Sequence, residues 1–540
     1  MLHELAKSVR AREVSAVELV ARALDRIERH NHELNAVVAL RAEEALREAA
    51  DLDARLAAGA SAGGSAGAPA GAPGNAPASR SAAASTSAGG ALEAENLPLA
   101  GIPFLVKDNM DLTGMPTTQG SLVLADSAPA ARDSLTVARL RAAGAIPVGR
   151  SNVPEFCFEG FTANRLFGIT RNPWATEWSP GGSSGGSAAA MAAGMIPFGT
   201  ATDGGGSIRI PASFCGLYGI KPTNGVIARD PLPFWIDFST DGPLALGMDD
   251  LRLLLAVMAG PNAGDPTALP VSLIGHGGGR RQLRRRQAGD DPVDDPAKRN
   301  ARATRLGAAL PSLRPSTVYA APRFVDWGEL PDSVGQLFEA ALRSLECDLG
   351  LRVEPIEPAR ILPTGGGGTS ANNADDDWFF TAACEQAHCF GREWLEANGD
   401  RLSDPFAAAM HEGLKVTLED YLAMRRRRFD YVRELDELLG DDKVIVTPTM
   451  PSEGFFADGR VPGRARPGTD SDSYNTQVQN LTGHPALSVP AGVSPNGVPF
   501  GLQVTGPRFR DELVLAIGDA WEQAHPGPRV APGYEQFWPL

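Results

Sequence analysis

The stretch from Pro180 to Thr223 reads PGGSSGGSAAAMAAGMIPFGTATDGGGSIRIPASFCGLYGIKPT and carries two Gly/Ser clusters, Gly181 to Ser187 and Gly204 to Ser207. Serines among glycines set a hydroxyl beside backbone N–H groups that can face a developing negative charge. A nucleophile plus such donors is the equipment of acyl transfer. A hydroxyl is a poor nucleophile near neutrality and needs a base within hydrogen-bond reach. Histidine is the usual base. The chain has 8 histidines, none of them between His32 and His276. The lysines say more. Among 50 Lys+Arg, the lysines are only Lys7, Lys107, Lys221, Lys298, Lys415 and Lys443. Arginine cannot give up its proton in a protein, whereas a desolvated lysine can. Lys107 sits in GIPFLVKDN, Gly101 to Asn109, after a strand-like apolar segment and before a turn-forming Asp-Asn. It is the candidate base.

Other readings of the glycines fit less well. A phosphate-binding P-loop closes on Gly-Lys-Ser/Thr, and neither cluster does. A dinucleotide fingerprint needs G-x-G-x-x-G, and Gly181 to Gly186 reads GGSSGG. Asp203 and Arg209 flank the second cluster and are expected to pair and hold its loop. Lys221, in GIKPT, is expected to brace the chain near Pro222. Cys215 is expected in the core.

GIPFLVKDN, PGGSSGGSAAA, DGGGSIRIPASFCGLYGIKPT, TGHPALSVPAG and GVPFGLQVTGP, in this order, resemble the amidase signature family. The resemblance runs over roughly Leu97 to Pro261 and Leu418 to the C-terminus, and touches the N-terminal helices. It implies Lys107 as base and Ser207 as nucleophile, with Ser183 as the serine that bridges them. It implies an oxyanion hole from the amides of Gly204, Gly205, Gly206 and Ser207, and a cis Gly182–Ser183 peptide. Gly204 stands where many family members have threonine. The implied fold is a single large α/β domain, with a mixed twisted central β-sheet covered by helices on both faces. The implied reaction is hydrolysis of a small amide through a serine acyl-enzyme, with no cofactor and no metal, in a homodimer. The alternative is the glutaminase component of a glutamyl-tRNA amidotransferase, which shares these motifs and works with partner subunits. The three inserts and the segment PLPFWIDF, Pro231 to Phe238, depart from that component's pattern. A non-catalytic scaffold is a third reading, opposed by the intact lysine and both serines. Phe156, Phe158, Phe161, Phe234 and Trp235 are candidate linings of an apolar acyl pocket, with Ser184 beside it; each aromatic is equally a candidate for the core.

The elements that must position these residues follow from patterning. Residues 1–57 read as helices packing on the core: Ser15 and Glu18 form a capping box, and a second helical stretch covers Ala42 to Ala57. Residues 58–95 are Ala/Gly/Ser/Pro-rich and read as a flexible insert. Residues 96–540 form the motif-bearing domain, with irregular inserts near 265–302 and 364–377. The first of these holds the arginine run from Arg280, read as a solvated loop. Asp133 to Ala143 reads as a helix feeding a strand, Ala145 to Gly149. Asp375 to Asp377 read as an N-cap region before Trp378. Leu418 to Leu439 reads as a long helix whose Arg425 to Arg428 form a solvated face. Lys443 opens a buried strand, and a helix covers Asp511 to about Ala524.

Composition bounds the partners. Hydrophobic content of 43% and charged content of 21% suit a globular chain, and a net charge of −15 argues against nucleic acid or an anionic membrane as a general partner. Five cysteines, sparse and odd in number, fit a reducing compartment. Cys384, His388 and Cys389 lack a second ligand pair at zinc spacing and read as helix residues. No apolar run reaches the length of a membrane span, and the charges from Glu4 onward do not read as a leader, so a cytoplasmic enzyme is expected.

Overall fold

The computed structural model describes residues 1–62, 97–235, 237–269, 313–367, 373–462, 474–527 and 529–539. Its strands, in chain order, are β1 (Val37–Leu40), β2 (Pro103–Lys107), β3 (Ile146–Ser151), β4 (Ala163–Asn164), β5 (Gly168–Ile169), β6 (Phe198–Asp203) and β7 (Tyr218–Lys221). They continue with β8 (Thr240–Ala245), β9 (Thr317–Ala320), β10 (Val353–Pro355), β11 (Lys443–Pro448), β12 (Ala486–Val493) and β13 (Pro499–Thr505). Eleven of them form one sheet in the order β1-β3-β2-β6-β8-β7-β12-β13-β11-β9-β10; β4 and β5 make a separate two-stranded ribbon. The sheet is mixed: β2 runs parallel to β3 and β6, while β6, β8, β7, β12 and β13 pair antiparallel in turn. The expected single α/β architecture, with helices flanking one central sheet, is what the chain adopts.

Burial explains why these segments are strands. All five side chains of β2 and all six of β3 and of β6 are buried. Continuous apolar or small runs of this kind suit strands covered on both faces. The helix Gly185–Ala192, all of it buried, crosses this region on small residues with one methionine, Met191. A Cβ on Gly186 would lie 2.4 Å from the Asn152 amide nitrogen, and one on Gly185 2.2 Å from Thr162 Oγ1. Nothing larger than hydrogen fits at either position.

The N-terminal helix Ala16–Leu34 starts on the Ser15–Glu18 capping box, as read from the sequence. Its buried Arg26 donates to the carbonyls of Gly194 and Glu535, which fastens it to the core. The next helix, Ala42–Ala62, runs past the expected end at Ala57, and residues 58–62 belong to it rather than to an insert. Most of the Ala/Gly/Ser/Pro-rich insert, the arginine run from Arg280 and most of the 265–302 insert lie outside the described residues. Asp265, at the start of the latter, is buried and accepts from the Arg229 amide at 2.9 Å.

Two expectations need correction. Within 364–377, residues 368–372 lie outside the described residues, but Ala374 onward is the first turn of the helix Ala374–Phe390. The cap is Asn373, whose side chain accepts from the Asp376 amide. The arginines at 425–428 are not a plain solvated face either. Arg425 and Arg428 pair with Asp237, and Arg427 pairs with Asp377, so the helix Leu418–Leu439 is stitched to its neighbours. Only Arg426 of the four is exposed. A basic run on a helix looks the same in sequence whether its partners are water or distant carboxylates.

Candidate active site

Lys107 ends β2, and its side chain is fully buried. Its amide donates to Thr200 Oγ1 on the neighbouring strand β6 at 2.8 Å, which sets the strand end. Nζ donates to Ser183 Oγ at 2.6 Å and to Thr202 Oγ1 at 2.7 Å. Among the described residues no carboxylate stands within ion-pair distance of Nζ; the adjacent Asp108 turns instead toward Arg150 (3.5 Å). Burial drives the Lys107 pKa below the ordinary lysine value, against weaker opposing pulls from Cys157, Asp203 and Asp241. An ammonium in a dry site with no counter-ion is costly, so the neutral amine is favoured there.

The rival lysine is distinguished by its partners. Lys221 is also buried, and burial, with Arg209 adding to it, lowers its pKa to about 7. Its Nζ donates to the Pro222 carbonyl (2.9 Å) and Asn224 Oδ1 (3.0 Å). It braces a turn and meets no serine among the described residues.

Ser183 follows a cis peptide bond to Gly182. A Cβ on Gly182 would lie 2.6 Å from the Phe161 carbonyl oxygen, so the bend is packed directly against another backbone segment. Ser184, the neighbouring candidate, faces elsewhere: its Oγ donates to the Thr202 carbonyl at 3.4 Å, and it starts the helix Gly185–Ala192. The Ser184 amide donates to the Ser207 carbonyl at 3.3 Å, which ties the two Gly/Ser clusters together.

The second cluster is a loop between β6 and the helix Arg209–Cys215, held from below. Asp203 and Arg209 are fully buried and pair at 2.9 Å. Burial alone would raise the Asp203 pKa, but the guanidinium holds it at about 2. Arg209 donates further to Gln479 Oε1, Gln503 Oε1, Asn480 Oδ1 and the Thr476 carbonyl. Asp203 accepts from the amides of Gly206 (2.7 Å) and Ile208 (3.2 Å). The Gly206 amide is therefore committed to the loop, which corrects the expectation that it faces an oxyanion. The amides of Gly204, Gly205 and Ser207 have no hydrogen-bond acceptor among the described residues.

Two tryptophans explain the glycines. A Cβ on Gly204 would stand 2.5 Å from Trp235 Cε3, and one on Gly205 2.3 Å from Trp378 Cζ2. Trp378 Nε1 donates to the Gly204 carbonyl at 2.8 Å. The lack of a side chain at Gly204 thus makes room for an indole.

Ser183, Ser207, Thr202 and Gly204 line one cavity of about 580 Å³. Phe234, Trp235, Phe156 and Cys157 also line it. Cys157 lies against Ser183 and Lys107, and burial pushes its thiol up. Three proposed contacts, Phe158, Phe161 and Ser184, are not in the wall. Phe158 packs behind it, edge-on to Trp235 at 5.9 Å, and Phe161 belongs to a separate cluster with Phe455 and Tyr474. Charged groups at the cavity are mostly engaged by the protein: Asp230 by Arg132, Asp241 by Thr136, and Arg229 by the Ser239 carbonyl and Thr267. Among the described residues no group of three or more His, Cys, Asp or Glu side chains is placed to hold a metal ion.

Thr202, Trp378, Gln386 and the polar set Thr476, Gln479, Asn480 and Gln503 escaped the sequence reading. The run NTQVQNLTG was a signal, since polar residues so dense beside an apolar strand need buried partners. Its partner, Arg209, is some 270 residues away and had no local trace.

A mixed sheet flanked by helices, with two serines at one cavity and a buried lysine bonded to one of them, is an arrangement suited to acyl transfer. The Amidase family matches residues 75–515, and the chain belongs to it, that is, to the amidase signature enzymes. Acylamidase of Rhodococcus erythropolis is 29% identical over 97% of this chain and 95% of its own length. The A component of the glutamyl-tRNA(Gln) amidotransferase of Cyanothece sp. is 31% identical, over 97% and 98%. The crystal structure of a bacterial aryl acylamidase of the amidase signature family shares the fold, with a TM-score of 0.73, 24% identity and coverage of 97% and 95%. Membership makes the chain a hydrolase of carbon–nitrogen bonds.

Proposed function

We propose that this chain hydrolyses a small linear amide through an acyl-enzyme on Ser207. The observation that carries the reading is the buried, carboxylate-free Lys107 with Nζ 2.6 Å from Ser183 Oγ. When Nζ is neutral the hydrogen bond reverses, and the Ser183 hydroxyl donates to it. Ser207 passes its proton to Ser183 as its oxygen attacks the carbonyl carbon, and Ser183 passes its own to Nζ. The oxyanion is met by the amides of Gly204, Gly205 and Ser207. Losing one such donor typically costs about 3–4 kcal/mol of barrier. Collapse of the tetrahedral intermediate breaks the carbon–nitrogen bond, and the proton returns along the same path to the departing amine. Water, activated by the same relay, then hydrolyses the ester.

The second reading, the glutaminase of an amidotransferase, is supported by the full-length similarity to the Cyanothece protein. The aromatic wall at Phe156, Phe234 and Trp235 and the engaged state of the charged groups favour a neutral, partly apolar substrate over glutamine's charged ends. The proposed enzyme acts alone, in the cytoplasm, as a homodimer. Purified by itself, the chain is expected to release ammonia or amine from simple aryl or aliphatic amides. Lys107→Ala and Ser207→Ala are expected to fold and to lose nearly all of that activity. Turnover that requires both glutamine and partner subunits reverses the reading, and turnover retained by Ser207→Ala removes the nucleophile.

A further inference from the structure

Gln386 stands in the helix Ala374–Phe390, its side chain part of the catalytic cavity's wall. It is 1% exposed, and among the described residues neither Nε2 nor Oε1 has a hydrogen-bond partner. Trp235 lines the same cavity, is 8% exposed, and leaves Nε1 without a partner among the described residues. Buried polar groups are nearly always paired, and an unpaired one is costly. Phe156, Leu232 and Phe234 line this cavity beside polar residues, among which Asn109 Oδ1 and Ser134 Oγ also lack a partner among the described residues. Gln386 is the one whose whole carboxamide is left unpaired there, and it is thus a group kept for something that enters the cavity. The terminal torsion of glutamine is broad, so the amide can turn toward an occupant at little cost.

We propose that Gln386 and the Trp235 indole N–H recognise a second carboxamide on the substrate, away from the scissile bond. Gln386 offers one donor face and one acceptor face, and the indole adds a donor. The complement is a neutral group with a two-lone-pair carbonyl and its own N–H, which describes a carboxamide. A carboxylate offers no donor to Oε1 and meets the Asp111, Asp230 and Asp241 side chains at the same cavity. A plain hydrocarbon tail leaves every one of these polar atoms unpaired. Sites built to pair a substrate's polar group discriminate strongly against analogues that lack it.

This rests on the amidase reading above and is tested with matched substrates. Ammonia release is followed for α,ω-diamides of four to eight carbons, each set against the ω-keto amide of equal length, in which a methyl replaces the distal NH₂. The wild-type chain is expected to favour the best diamide about tenfold or more in kcat/KM, after allowance for its two equivalent amides. Gln386→Leu and Gln386→Met are expected to bring that ratio close to unity. Their melting temperatures are expected to hold or rise, since a buried unpaired amide is removed. An unchanged ratio in both variants, or no preference in the wild type at any length, overturns the inference and leaves the amidase reading standing. Unfolding of both variants assigns Gln386 to the core and overturns it as well. Failure to hydrolyse any amide sinks the amidase reading first.

Discussion

At the scale of single residues, the chemistry turns on the charge of Lys107. Burial lowers its pKa, and among the described residues no carboxylate compensates at contact distance. The sign follows directly: the neutral amine gains population as pH rises through the lowered pKa, so the acid limb of kcat/KM falls below the range of an ordinary lysine. Lys107→Arg is the informative variant, because a guanidinium retains the donors to Ser183 and Thr202 but cannot take up a proton. Its activity is expected to stay at background at every pH, measured beside a melting curve that shows it folded; turnover recovered at high pH contradicts a proton-accepting role. Residue choice in the sequence singled out Lys107, a rare lysine in an arginine-rich chain, and the two Gly/Ser clusters, whereas the choice of Ser183 and Ser207 within those clusters came from the family resemblance. Thr202 was not legible, since a threonine two residues before a glycine cluster is indistinguishable from any strand threonine until β6 lies beside β2.

At the scale of elements, the loop from Asp203 to Arg209 is rigid because it is held from two sides. Asp203, Arg209 and the helix Gln477–Thr482 hold it beneath, and Trp378 and Trp235 close on Gly205 and Gly204 above. Gly205→Ala places a methyl into the Trp378 ring. Overpacking of this kind costs about 1–3 kcal/mol. It is expected to lower the denaturation midpoint by that amount and to cut activity by more than the loss of folded protein, as indole and loop shift together. A variant of unchanged stability and rate contradicts the clamp. Helix and strand positions were largely legible, from capping at Ser15 and from apolar runs such as Pro103 to Lys107. The pairing of elements was not. The expected solvated face at Arg425 to Arg428 became a set of ion pairs because Asp237 and Asp377 arrive from elsewhere in the chain.

At the scale of the whole molecule, an eleven-stranded sheet lets Ser183, Ser207, Trp235 and Gln386 meet at one cavity, with the buried Lys107 bonded to Ser183. The fold class was legible through motif order, and the strand order was not, because register depends on contacts made after collapse. One buried acid carries a stability consequence. Asp375 accepts from Trp327 Nε1 at 2.8 Å, and burial raises its pKa to about 7. The folded chain therefore holds a proton that the unfolded chain releases near the ordinary carboxylate range. This contribution is full at low pH and is lost as pH rises through about 7. Asp375→Asn is expected to flatten the fall in melting temperature between mildly acidic and mildly alkaline buffer; an unchanged slope contradicts it. The mechanism itself is tested most directly by treating the lone chain with a fluorophosphonate and locating the adduct by peptide mass spectrometry. A single phosphonyl group on Ser207, absent in Ser207→Ala and strongly slowed in Lys107→Ala, is the expected result. An adduct on another residue, or labelling indifferent to Lys107, contradicts it.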